Sequence, residues 1–363
     1  MNQQMNTQFN QCPECETSNY DRRDFFKSIS KSTLGTMGTA IALGEVASLT
    51  NLTEANAAES LLSPLDGKQG PKPSTRTANP AEEIVKELYT TLSDEQKKAV
   101  CLTFEDPKRL SVNPNRALNV VINKVYNSKQ IELIQRIVKA ISSGEEGYQK
   151  ISRGGTWDAS KSFGNCGANF FGDPIKGDYA FLFTGHHLTI RCDGNFKDCI
   201  AFGGPIYYGH TPNGYSDKNI FNYQTKQVMK VFDALDEKQR MKALITMGNP
   251  GEGKKSITLH PEQKDHPGVH IAELGEDQKG LIKEVMKAIL SPFRSEDVDE
   301  VMAIIKKSGG MEKISLAFYN EGYEGEKTSK NQPWSFWRLE GPGFVWNYRV
   351  LPHVHTYVKI ACS

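Results

Sequence analysis

Residues 178–194 read DYAFLFTGHHLTIRCDG. Aromatic and β-branched residues dominate, and the pattern continues through NFKDCIAFGGPIYYG to residue 209, with the turn dipeptide Asp193-Gly194 inside it. Two or more antiparallel strands are expected. His186 and His187 stand together in the middle. Neighbours on a regular strand point to opposite faces, so one imidazole would meet a site while the other supports it from behind. A bend at Gly185 would let both reach inward. Of the two, His187 is the preferred ligand, because alternation puts it with the more polar neighbour Thr189.

Outward from this stretch, the chain changes character in blocks. PAEEIVKELYTTLSDEQKKAV (80–100) and NRALNVVINKVYNSKQIELIQRIVKAISSG (115–144) carry apolar residues at helical spacing, with Pro80 in a helix-starting place. Helical patterns return at 226–245, 276–293 and 295–310. Strand patterns return in KISLAFYNEG (313–322), PWSFWRLEGPGFVWNYRV (333–350) and HVHTYVKIA (353–361). Strands and helices are grouped and not alternating, so the expected class is α+β, with antiparallel strands carrying the histidines and helices flanking them. No Walker or dinucleotide-binding glycine motif is present.

The first 57 residues read as an address. DRRDFFK (21–27) is followed by the mildly apolar TLGTMGTAIALGEVASL and then by Ala55-Asn56-Ala57. Paired arginines, an apolar stretch and a small-x-small cleavage pattern describe a twin-arginine signal peptide, removed before Ala58. The twin-arginine translocation machinery would then be a partner, and the location periplasmic or secreted. Residues 58–80, rich in Pro, Gly and polar side chains, suit a flexible linker, and 81–363 one α+β domain. The full chain has a net charge of +1, and the part after residue 57 has +2. Neither gives an electrostatic reason to expect nucleic acid or an anionic membrane. No apolar run reaches the roughly 18 residues of a spanning helix. Cys12 and Cys15 fall in the part to be removed. In an oxidising compartment, Cys192 and Cys199 in RCDGNFKDC are expected to form a cross-hairpin disulfide.

His353 and His355 are two apart in a β-compatible stretch, so both should project to one face, roughly two rises of 3.3 Å apart. From there, two imidazoles can meet one ion at about 2.0–2.1 Å from each nitrogen. His210, in YYGHTP, is a possible fourth ligand. His260, His266 and His270 lie in LHPEQKDHPGVH and read as a solvated loop; GNPGEGKKS (248–256) reads as a flexible lysine-bearing loop. Trp334, Trp337, Trp346 and Tyr348 suit strands packing on a core better than a ligand wall.

Six landmarks stand in fixed order: FEDPKR (104–109), FFGDP (170–174), GHHL (185–188), FGGPIYYG (202–209), RLEGPGF (338–344) and HVHTYVK (353–359). From about residue 82 onward the chain resembles domain-of-unknown-function family 3500, a family of mostly exported bacterial proteins. The resemblance implies no reaction. It marks Gly185, His186, His187, Gly341, Pro342, His353, His355 and Lys359. Lys359 stands where the family usually has arginine, and Asn347 near a position where members tend to carry glutamate.

Together these readings lead to an exported metalloenzyme with a mononuclear histidine-rich centre. Its metal ligands come from His186, His187, His353 and His355, and Lys359 orients an anionic group of a small-molecule substrate. All-imidazole ligation suits a transition metal ion such as copper, zinc or iron. Oxidoreductase chemistry is preferred to hydrolysis, and a non-catalytic metal- or ligand-binding protein is the rival.

Overall fold

The computed structural model describes residues 80–112, 115–194, 200–323 and 325–361. The expected signal peptide, Cys12, Cys15, Cys199 and all of the expected linker except Pro80 lie outside them. Eleven strands form a single sheet: β1 (Cys101–Leu102), β2 (Gly167–Gly172), β3 (Tyr179–Gly185), β4 (Leu188–Gly194), β5 (Ile206–His210), β6 (Leu244–Ile245), β7 (Val269–His270), β8 (Ser315–Tyr319), β9 (Phe336–Gly341), β10 (Phe344–Arg349) and β11 (Val354–Ile360). Their order is β1-β2-β3-β4-β5-β11-β10-β9-β8-β6, with β7 paired to β8. Among the described residues, only the short outer pairs β1–β2 and β6–β8 are parallel. The fold is α+β, as the grouped patterns indicate. The two blocks of strands join where β5 pairs antiparallel with β11.

The helices are α1 (Pro80–Thr90), α2 (Asp94–Val100), α3 (Ile122–Val125), α4 (Ser128–Ala140), α5 (Gly144–Ser152), α6 (Asn222–Ala234), α7 (Glu237–Ala243), α8 (Glu276–Leu290) and α9 (Ser295–Lys307). Ser-Ser-Gly at 142–144 ends one helix but also begins α5, because Gly144 takes φ +67° and the chain restarts a helix at once.

One face of the sheet is oily and the other polar. Val85, Leu88, Ile134, Ile137, Val231, Ile282, Val285, Ile289 and Val301 of the helices share a single core with Phe170, Phe181, Phe183, Ile190, Tyr208, Trp346, Tyr348, Val354 and Val358 of the strands. Alternation sends the remaining strand residues the other way. There Tyr207, Val345 and Tyr357 pack with Ile257, and Val112, Leu118 and Leu259 add to the cover on this side. Trp334, Trp337 and Trp346 are fully buried core residues.

This second face buries charge, and its charges are paired. Arg338 Nε lies 2.7 Å from Glu340 Oε2. Arg338 also donates to the carbonyls of Ser256 and Thr258, and Glu340 binds His260 Nδ1. His266 bonds the His260 carbonyl at 2.6 Å, and His270 Nδ1 lies 2.8 Å from Ser315 Oγ. The segment expected as a solvated loop is therefore pinned to the sheet by its histidines.

Cys192 is a buried free thiol on the helix side of β4. Its expected disulfide partner, Cys199, lies outside the described residues. Asp193-Gly194 ends β4, and the chain returns as the antiparallel β5.

Arg294, just before α9, binds Asp297 at 2.9 Å and Glu82 of α1 at 2.9 Å, with all three side chains nearly buried. Removing the cation strands two carboxylates, so Arg294→Ala is expected to cost about 3–5 kcal/mol, read as a lowered urea midpoint.

Candidate metal centre

β3 ends at Gly185 and β4 begins at Leu188, and these two residues pair directly. His186 and His187 are therefore the two residues of a hairpin turn, not members of one strand. Strand alternation does not apply to them, so both rings reach the same side, with centroids 3.9 Å apart. His187 takes φ +50°, the left-handed region that a β-carbon disfavours.

Arg153 holds that turn. Its fully buried guanidinium donates to the carbonyls of His187, Gly209 and Ile151, and the Gly209 amide donates to the His187 carbonyl at 3.1 Å. Gly209 of β5 pairs with His355 of β11. A β-carbon there would sit 2.2 Å from the Val354 carbonyl oxygen and 3.1 Å from His355 Cδ2. Glycine is what lets the imidazole of His355 lie over β5 toward the turn.

Three Nε2 atoms then converge. His353 Nε2 lies 2.9 Å from His355 Nε2 and 3.2 Å from His187 Nε2, and the three nitrogens all fall within 4.8 Å of one another. Two of the three rings have their other nitrogen occupied. His187 Nδ1 is 2.9 Å from Asp158 Oδ2 and His355 Nδ1 is 2.8 Å from Glu252 Oε2. Glu252 also accepts from the Tyr357 hydroxyl, and Arg349 Nη1 is 3.2 Å from its other oxygen. With both Nδ1 protons given to carboxylates, the Nε2 atoms of His187 and His355 present lone pairs. Arg349 Nη2, 3.3 Å from His353 Nε2, favours an acceptor there too.

Lone pairs facing one another repel unless a cation lies between them. Bonds of 2.0–2.1 Å to one ion put neighbouring nitrogens about 2.9 Å apart at right angles and about 3.4 Å apart at the tetrahedral angle. The observed 2.9 and 3.2 Å match. Carboxylates on the far nitrogens are the usual support of metal-bound imidazoles. These residues fit an ion.

Electrostatics agree. Burial holds the His187 imidazolium down to about 4, against the pull of Asp158. Burial, with the positive charge of Arg349 and the crowding of neighbouring imidazoles, holds His353 and His355 well below the usual range. Neutral imidazoles are the metal-binding form. Burial pushes Asp158 up, but His187 and the hydrogen bonds from His186, His187 and His210 prevail and leave it well below the usual carboxylate range. Burial raises Glu252, with Arg349 and Tyr357 pulling it back.

Of the expected site residues, His187, His353 and His355 meet at one point. His186 and His210 come to Asp158 instead, their Nδ1 atoms 3.6 and 3.3 Å from its oxygens. Asp158, His186 and His187 form a second group able to hold an ion. Lys359 stands four residues from His355 on the same face of β11, roughly 13 Å by strand rise. It lies within electrostatic reach of Arg191 and Lys254, which with burial lower its pKa. The cation touching the imidazoles is Arg349.

Sequence reasoning missed Asp158, Glu252, Arg153 and Arg349. Trp157 packs edge-on to Phe163 at 5.1 Å, anchoring the backbone that displays Asp158. Glu252 sits in the segment expected as a flexible lysine-bearing loop. Neither carries a local motif.

The chain belongs to the DUF3500 family. The family model, described as a protein of unknown function, matches residues 74–360. No curated protein and no solved structure matches the chain. DUF3500 membership thus agrees with the landmark motifs and leaves the chemistry to the geometry.

Two outcomes are expected here. Gly209→Ala should displace His355 and lower the melting temperature of the metal-free protein by several degrees. In the metal-free protein, His187 titrates near 4 when folded and near 6.5 when unfolded. The unfolded chain binds more protons between these values, so stability should fall as pH drops from 6.5 to 4, by on the order of 3 kcal/mol from this residue. Denaturant titrations at pH 7, 5.5 and 4 measure the slope.

Proposed function

We propose that this protein is an exported metalloenzyme whose ion is held by Nε2 of His187, His353 and His355. The observation that carries this reading is the convergence of three Nε2 atoms, two of them on rings whose Nδ1 is tied to a buried carboxylate. Three protein ligands leave coordination positions for a small molecule. Arg349, beside His353 and buried, supplies a fixed positive charge toward that opening and favours a substrate or ligand with an anionic group. Lys359, farther along the same face, would act on a more distant part of a longer substrate.

Redox chemistry is preferred to hydrolysis. Both carboxylates beside the centre are committed, Asp158 to imidazoles and Glu252 to His355, Tyr357 and Arg349. Neither stands ready as the general base that metal-assisted hydrolysis ordinarily uses. When bound, a copper or iron ion would supply electron transfer or activation of oxygen; the chain's part is to hold the imidazoles, exclude water and place one cation. The arginine pair at 22–23 supports export through the twin-arginine route, which carries folded proteins and would let the ion be fitted first.

Elemental analysis of the protein purified from its native periplasm is expected to find bound transition metal. The double change His353→Ala and His355→Ala should reduce it at least tenfold while the fold persists by circular dichroism. A metal-free, folded wild-type protein indifferent to both changes would sink the proposal and favour a binding protein for some other small ligand.

A further inference from the structure

Asp158 differs from Glu252 in the company it keeps. Glu252 supports one imidazole of the first ion and gives its remaining capacity to Tyr357 and Arg349. Asp158 faces three imidazole Nδ1 atoms: His187 at 2.9 Å, His210 at 3.3 Å and His186 at 3.6 Å. Orienting one ligand of the first ion requires only the first of these contacts. His186 arrives from the turn and His210 from the end of β5, and neither belongs to the group around the first ion.

All four side chains are at most 6% exposed, so the cluster is dry. The carboxylate-to-imidazole distances of 2.9–3.6 Å are close to the edges of a coordination shell with bonds of about 2.0–2.2 Å. The backbone is held in unfavourable shape to present the carboxylate, with φ +56° at Trp157 and +54° at Asp158. Such residues cost on the order of 1–3 kcal/mol and gather at functional sites.

We propose that Asp158, His186, His187 and His210 form a second metal site that shares His187 with the first, so that this imidazole bridges two ions. The second ion takes the place of the His187 Nδ1 proton, which leaves to solvent. His186 and His210 shift their protons to Nε2 and offer Nδ1. The carboxylate and the shared imidazolate bring negative charge to the second ion, which offsets part of the positive charge buried with it. The ligand class is a divalent transition metal with imidazole and carboxylate donors, copper or zinc among them. This inference rests on the metal centre proposed above, and its test separates the two.

Metal-free protein is loaded with Cu(II), desalted and assayed for copper per chain and for electron paramagnetic resonance intensity. Two copper ions per chain are expected in the wild type, with a signal well below that of two isolated ions because the bridge couples their spins. His186→Asn and His210→Asn should each bind one ion and recover the full isolated-ion signal. One ion per chain in the wild type, unchanged in both variants, would overturn the bridged site and leave the three-histidine centre standing. Two uncoupled ions, undiminished in both variants, would overturn the bridged site as well. No bound copper in the wild type would overturn both readings.

Discussion

Two carboxylates decide where the imidazoles point. Asp158 and Glu252 each engage an Nδ1, which turns the Nε2 atoms of His187 and His355 inward to meet that of His353. Without those contacts a buried histidine would settle into whichever tautomer satisfied the nearest carbonyl. With them, three acceptors are forced together, an arrangement that is unfavourable without a cation. Much else in the molecule serves to hold the carboxylates. Trp157 anchors the loop of Asp158 in the core, while Arg338 and Glu340 pin the segment that delivers Glu252.

The two faces of the sheet divide the work. Helices cover one face with a continuous apolar core, which stabilises the fold and gives the strands a rigid register. The opposite face buries Arg191, Arg338, Glu340, Arg349 and His355 beneath irregular chain. Burying charge is costly unless each group is paired, so a surface of this kind is not a cheap way to build stability. The pairing of Arg338 with Glu340 and of Arg349 with Glu252 reads as the requirement for placing polar chemistry in a dry setting on a sheet.

The class of the fold and the three converging histidines were legible in the chain itself. Grouped periodicities separate helices from strands, and H-x-H on a β-compatible stretch predicts two rings converging, as His353 and His355 do. The short parallel pairings of β1 and β6, two residues each, carry too little pattern to be seen. Residues 185–194 read as one strand, whereas the chain reverses inside them, at His186-His187, before reversing again between β4 and the antiparallel β5. Histidine has little turn preference, and no dipeptide rule marks that position. Asp158, Glu252 and Arg153 act across 29 to 103 residues of chain, and a lone acidic or basic residue in a loop has no spacing from which a partner can be read.

The turn at 186–187 also explains why doubled histidines occur. On a strand they would be divided between faces. In a two-residue turn both project toward the same space, and the left-handed His187 can reach His353 and His355 with one nitrogen and Asp158 with the other. A glycine or asparagine would relieve the backbone at 187, so the presence of histidine there means that its ring outweighs the strain. Arg153 offsets that strain by binding the carbonyls of the turn and of Gly209 together. The same guanidinium thus sets the distance between the turn and the strand beneath His355, and the spacing of the nitrogens follows from it.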